Sequence, residues 1–262
     1  MTTILELKNV SKAFGGVRAV EDVSLSIEAG SITSIIGPNG AGKSTLFNLI
    51  SSVYPVNSGA IHYKDKNITG MPSHKLPRLG IGRTFQNLAV FKHDTVVNNI
   101  LVGRHCWLRA NILNASLFLG SVRREEIEAR KQIEEIIEFL EIQAIRDHLV
   151  GTLSYGLQKR VELGRALAIK PQLLLLDEMV SGMNTEETED IARFIIDLKE
   201  ELGITVVMVE HDMGIVMDIS DHVCVLNYGR KIAEGTPKEV TSNPEVVAAY
   251  LGKKSAQEEV TL

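Results

Sequence analysis

The chain has 262 residues, 28 of them basic and 33 acidic, with a net charge of −5 and 44% apolar residues. That length suits one large domain or two small ones, and the composition excludes collagen, coiled coil and disorder as descriptions of the whole chain. The acidic balance argues against nucleic acid as the main partner, and two cysteines, Cys106 and Cys224, form neither a disulfide framework nor a metal site and fit a reducing compartment.

The first residues, Met-Thr-Thr-Ile-Leu-Glu, lack the basic start and apolar run of an export signal, so none is expected. Residues 4–7 and 23–27 alternate apolar and polar side chains, which predicts half-buried antiparallel strands, with turns at Gly15-Gly16 and Ala29-Gly30. Residues 31–36 read as a buried strand running into a Gly-rich loop, and residues 45–50 continue as a helix. The longest stretch free of Lys, Arg, Asp and Glu, residues 44–63, is broken by polar residues and Pro55, so no membrane span is expected. If the protein works at a membrane, another chain crosses it. Residues 61–63 add a predicted edge strand. Ile133, Ile136, Ile137 and Leu140 recur at helical spacing, and much of 87–165 reads as helix. Residues 173–176, 205–209 and 223–226 are short apolar runs separated by helical stretches, the β-α-β pattern of a mostly parallel sheet. The polar tail, 253–262, is expected to be flexible.

Gly37-Pro38-Asn39-Gly40-Ala41-Gly42-Lys43-Ser44, followed by Thr45, matches a phosphate-binding loop between strand and helix. Phosphate oxygens need bare backbone N–H groups, which Gly37, Gly40 and Gly42 permit, and the helix beginning near Lys43 directs its positive end at them. Lys43 would reach the β- and γ-phosphates and Ser44 would ligate Mg²⁺. Further on, an apolar strand ends in Asp177 and Glu178. Read functionally, Asp177 holds Mg²⁺ through water and Glu178 polarises the attacking water. Read alone, the pair also fits a strand capped by solvated acids. Leu153-Ser154-Tyr155-Gly156-Leu157-Gln158 precedes a predicted helix over 159–169, with Ser154 as its cap.

Together these residues resemble the ATP-binding-cassette (ABC) ATPases, whose signature, usually Leu-Ser-Gly-Gly-Gln, is similar to residues 153–157. The resemblance covers residues 4–252. It implies an α/β fold: a P-loop NTPase (RecA-like) core, 1–86 and 166–252, with an N-terminal antiparallel β subdomain and an inserted α-helical subdomain, 87–165. It implies ATP and Mg²⁺ as cofactors. By the same resemblance Phe14 stacks on adenine, Gln86 senses Mg²⁺ and the membrane partner, and His211 contacts the γ-phosphate. Ser154, Tyr155 and Gly156 meet the nucleotide of an opposing subunit, and Ser181-Gly-Met-Asn184 crosses to it. Alone, Phe14 also fits a core phenylalanine, Gln86 carries no signal, and His211 fits a structural histidine at a strand end.

Residues 12–20, 83–87 and 246–252, the Tyr155 variant of the signature and an extra segment at 104–125 with Trp107 and Phe118 are similar to the branch that serves branched-chain amino-acid importers. That branch implies a head-to-tail pair of ATPases, as a homodimer or with a paralogue, beneath two membrane-spanning permease subunits. A binding protein outside the membrane delivers the substrate, and the ATPase sits peripherally on the cytoplasmic face. The groove for the permease is expected near Gln86 and the helical segment after it; residues 87–110 either line that groove or form a solvent loop in a subdomain of their own. Related systems import urea, amides or aromatic acids, or export lipid. A weakly active regulatory module and a soluble ATPase acting on DNA or ribosomes are the other readings. The chain departs from the family's usual residues at Leu157 (Gln), Met179 (Pro), Asn184 (Asp) and Thr185 (Pro). Met179 in place of proline is expected to leave the acid before it more mobile.

Overall fold

A computed structural model describes residues 2–86, 88–107 and 120–250. Asn87, Phe118, Leu251, Gly252, the tail 253–262 and the side chain of Trp107 lie outside the described residues.

Two sheets organise the chain. The first comprises β1 (Thr3–Phe14), β2 (Val17–Glu28), β4 (Ser58–Tyr63) and β5 (Lys66–Asn67), antiparallel throughout, in the order β2-β1-β4-β5. The second comprises β3 (Ile32–Ile36), β6 (Ile81–Arg83), β7 (Leu173–Asp177), β8 (Thr205–Val209), β9 (His222–Asn227) and β10 (Arg230–Gly235). Its order is β10-β9-β3-β8-β7-β6, parallel except for β10 at the edge.

β1 and β2 run far beyond the predicted segments at 4–7 and 23–27. Register shifts interrupt the alternation, and near them Asn9 and Asp22 adopt left-handed backbone, which short polar side chains tolerate. Asn9 Nδ2 donates to Asp22 Oδ1 at 2.8 Å, and Asp22 N donates to Ser11 Oγ at 2.9 Å, so the bulges are cross-linked.

Every residue of β3, β7 and β8 is buried, as expected of central parallel strands covered on both faces. Their side chains alternate between two cores. Leu174, Leu176, Val206 and Met208 face the helices, while Leu173, Leu175, Val207 and Val209 face the antiparallel sheet and α1 (Lys43–Ile50). Each fully buried aliphatic side chain contributes about 1.5–3 kcal/mol.

Between β6 and β7 lie α2 (Val96–Val102), α3 (Gly120–Phe139) and α4 (Tyr155–Leu167). Helix α4 begins four residues before the predicted start. The Ser154 hydroxyl accepts the Leu157 N–H at 3.3 Å, so Tyr155 and Gly156 lie in the first turn. Later come α5 (Thr185–Glu200), α6 (Met213–Ile219) and α7 (Pro237–Thr241). The phosphate loop follows β3, Gln86 follows β6, Glu178 follows β7 and His211 follows β8, so four parallel strands deliver their loops to one carboxyl edge of the sheet. Open α/β sheets form their ligand sites there.

Candidate active site

The phosphate loop is shaped by close backbone approach. Gly37 and Gly42 hold φ of 149° and 101°, and a Cβ on either would collide with a carbonyl, that of Leu226 or Ala19. Gly42 also precedes α1 with no side chain to cap it, so the first amides of the helix are left to a ligand. Lys43 is buried, and its ammonium donates to the carbonyls of Gly37 at 2.7 Å and Pro38 at 3.2 Å. Residues 39–45 line a cleft of about 620 Å³ with Val17, Arg18, Ala19, Gln86, Glu178, His211 and Tyr228. Gly37 and Pro38 lie behind this surface as buried support.

Glu178 is the one acid lining the cleft among the described residues. Its backbone has φ of 50°, and its N–H donates to Val209 O at 2.9 Å. Gln86 Nε2 donates to Glu178 Oε2 at 3.0 Å, and His211 Nε2 lies 2.9 Å from Oε1. With a carboxylate as acceptor, the hydrogen of that bond sits on Nε2. Met179 beyond it is fully buried, so the chain after the acid is anchored by packing.

Asp177 lies one residue earlier and deeper. Arg83 Nη2 pairs with its Oδ2 at 3.0 Å, and the Asp177 N–H donates to Thr84 Oγ1 at 3.2 Å. The Arg83 guanidinium also donates to Ser51 Oγ and stacks near the rings of Phe47 and Phe85. Burial raises the pKa of Asp177, and Arg83 opposes the rise. The remaining oxygen, Oδ1, is buried without a hydrogen-bond partner among the described residues.

Glu210 joins the loops that carry Glu178 and His211. It is 3% exposed, and its Oε1 accepts the Val180 N–H at 3.3 Å. Burial pushes its pKa up to about 7, against hydrogen bonds from the backbone of Val180, Met179 and His211.

Phe14 and the signature residues lie outside the cleft lining. Phe14 is 45% exposed at the β1–β2 turn, with its ring edge-on to Tyr54 at 5.3 Å and the Lys12 ammonium 5.1 Å from its centre. Tyr228, on the β9–β10 turn, is the aromatic residue at the cleft itself. Ser154 Oγ donates to Glu187 Oε1 at 3.4 Å. Asn184 caps α5, with its side chain accepting the Glu187 N–H at 2.9 Å while Glu187 Oε2 accepts the Asn184 N–H at 3.3 Å.

Sequence reasoning missed Arg83 as an anchor, and also Glu162, Glu187, Glu210 and Tyr228. Arg83 and Glu210 stood beside quoted motif residues, but nothing in their spacing named their partners.

A phosphate loop on β3, an acid pair at the end of the neighbouring-but-one strand and an acid held by glutamine and histidine define a nucleoside-triphosphate hydrolase of the P-loop type. The match to the ABC transporter model spans residues 20–181, and a model for the branched-chain amino acid ATP-binding cassette transporter matches residues 230–256. The chain belongs to the ABC transporter family as one of its ATP-binding cassettes, and is an ABC-type ATPase. BraF of Pseudomonas aeruginosa, a high-affinity branched-chain amino acid transport ATP-binding protein, is 41% identical over 250 residues, covering 95% of this chain and 98% of its own. LivG of Escherichia coli, described in the same words, is 36% identical with the same coverage. A solved ABC transporter cassette in its ADP conformation matches with TM-score 0.84 and 37% identity, covering 96% of this chain and all of that one. A nucleotide-free cassette matches with TM-score 0.83 and 36% identity over 95% of this chain and 99% of its own. Among the described residues no helix is long and apolar enough to cross a membrane.

Proposed function

We propose that the chain powers uptake of branched-chain amino acids by hydrolysing ATP in a head-to-tail dimer beneath two permease subunits. The cargo reading rests on its likeness to BraF and LivG over nearly the whole chain. The carrying observation for the mechanism is Glu178, bracketed by Gln86 and His211 at the phosphate-loop cleft while Ser154 and Gly156 stand outside it. One chain holds the reacting groups, and a second copy supplies the signature turn.

In this mechanism the phosphates rest on the amides of residues 39–45, and the Lys43 ammonium exchanges two carbonyls for β- and γ-oxygens. Glu178 takes the proton of the attacking water, oriented by the donors on its two oxygens. Mg²⁺ would supply charge neutralisation at the β- and γ-phosphates. The orphaned Oδ1 of Asp177, the exposed Ser44 hydroxyl and Gln86 in the cleft fit such an ion. The exposed Phe14 ring gives adenine an aromatic face. Residues 4–252 act as one cassette, with 87–165 as its helical part.

A second groove of about 580 Å³ has Val53, Phe85, Phe91 and Val102 exposed along it, with His74 and Arg165 at its walls. It adjoins the Gln86 loop and suits an apolar helix of the permease on the cytoplasmic face. Removing the chain from its host tests the cargo: ATP-driven uptake of leucine, isoleucine and valine is lost and uptake of urea is unchanged. Lost urea uptake with intact leucine uptake assigns the chain to the related import systems instead.

A further inference from the structure

Gln86 sits on a loop without regular structure, and a loop alone does not fix a side chain to the tolerance that chemistry requires. Its support comes from α4. Glu162 Oε1 accepts the N–H of Phe85 at 3.3 Å and that of Ala89 at 3.4 Å, so the backbone on both sides of Gln86 is held by one carboxylate. Glu162 is 1% exposed and Lys159, one turn earlier, is fully buried, with Nζ 3.4 Å from Glu162 Oε2.

Stability does not explain this pair. Two buried charges lose hydration that their attraction barely returns, and apolar replacement of such pairs is often neutral or stabilising. Neither Lys159 Nζ nor Glu162 Oε2 has a hydrogen bond within the described residues. What the pair does is connect. The Lys159 ammonium lies 5.9 Å from the Tyr155 ring in the signature turn, and its charge favours the ionised form of Asp177. Phe85 and Ala89 line the apolar groove beside the loop. Signature turn, Gln86 loop and groove wall thus meet at one buried pair.

We propose that Glu162, paired with Lys159, is a positioning residue for Gln86, tying the loop that carries it to the signature helix α4. The proposal rests on the reading that Gln86 serves the reaction.

The test compares the full chain with two double variants. Lys159→Met with Glu162→Leu removes the charges and the acceptor; Lys159→Met with Glu162→Gln removes the charges and keeps an acceptor. The Leu variant should melt no lower than the parent, keep its KM for ATP and lose about 10- to 100-fold in kcat, the scale of an ångström of misplacement. The Gln variant should recover most of that loss. Gln86→Ala should lower kcat in the parent and cost almost nothing further in the Leu variant. A Leu variant with parental kcat and the full Gln86→Ala penalty overturns the proposal. If Gln86→Ala is silent in the parent, the catalytic reading of Gln86 fails, and amide exchange at Phe85 and Ala89 decides the anchor. Protection lost in the Leu variant and kept in the Gln variant supports it, and equal protection in all three refutes it. If the Leu variant does not fold, the same exchange and the Gln86→Ala penalty are read on Lys159→Leu with Glu162→Met, which also lacks the acceptor, where unchanged values in both refute it.

Discussion

His211 Nε2 lies 2.9 Å from Glu178 Oε1, and the other oxygen of the same carboxylate accepts from Gln86 at 3.0 Å. Three loops from three strands therefore converge on one acid. Glu178→Gln keeps the shape and removes the proposed base. ATP binding should persist while hydrolysis falls by ~10²–10⁴-fold, the usual worth of a positioned general base. Equilibrium binding beside steady-state phosphate release checks both halves, and full activity would place the base elsewhere. The mass of this variant in solution should rise from monomer to dimer on adding Mg-ATP.

Lys43 donates to its own loop through Gly37 and Pro38. Lys43→Ala removes the charge proposed to meet the phosphates and leaves those carbonyls to water. The variant should fold and fail to bind ATP. A ligand at 100 times its Kd stabilises a fold by about 2.7 kcal/mol, so the rise in melting temperature with ATP should vanish. An undiminished rise would remove the phosphate-loop assignment.

Glu210 titrates near neutrality because it is buried, with a pKa of about 7 against 4.5 in the open chain. The folded state then binds the proton more tightly than the unfolded state. Stability contributed by this group is full at acid pH and falls as pH rises from about 4.5 to about 7, by about 3 kcal/mol at most. Asp177 shifts the same way, so the parent alone does not isolate Glu210. Glu210→Gln should flatten this part of the profile, and melting temperatures from about pH 5 to about pH 8 give the difference. Parallel profiles would contradict the shift.

The phosphate loop and the acid pair were legible because each is local: residues adjacent in sequence must be adjacent at one strand end, whatever the fold. The central strands were legible because burial on both faces leaves continuous apolar runs, as in β7. What holds the site was not legible. Arg83 meets Asp177 94 residues away, and Glu162 meets Phe85 across 77, so only the sheet order brings them together. The long hairpin was read short because bulges near Asn9 and Asp22 break its alternation. The signature helix was read late because Tyr155 and Gly156 resemble a loop until Ser154 is seen capping them. The expectation that Met179 frees the acid meets a different physical fact: this side chain is fully buried, and the Glu178 N–H is bonded to Val209.

Ser154 has two separable duties. Its hydroxyl caps α4 through the Leu157 N–H and also donates to Glu187, and neither partner belongs to the cleft of its own chain. Ser154→Ala should cost about 1 kcal/mol of stability through the lost cap. Affinity of the monomer for ATP should stay unchanged, because the phosphate loop and Lys43 are untouched. Introduced together with Glu178→Gln, it should prevent the ATP-dependent rise in mass if Ser154 serves the opposing subunit. Ser154→Thr restores a capping hydroxyl and so separates the two duties. Recovered melting temperature without recovered dimer would assign Ser154 a contact in trans that the cap does not supply. A dimer forming as well in Ser154→Ala would confine the residue to capping.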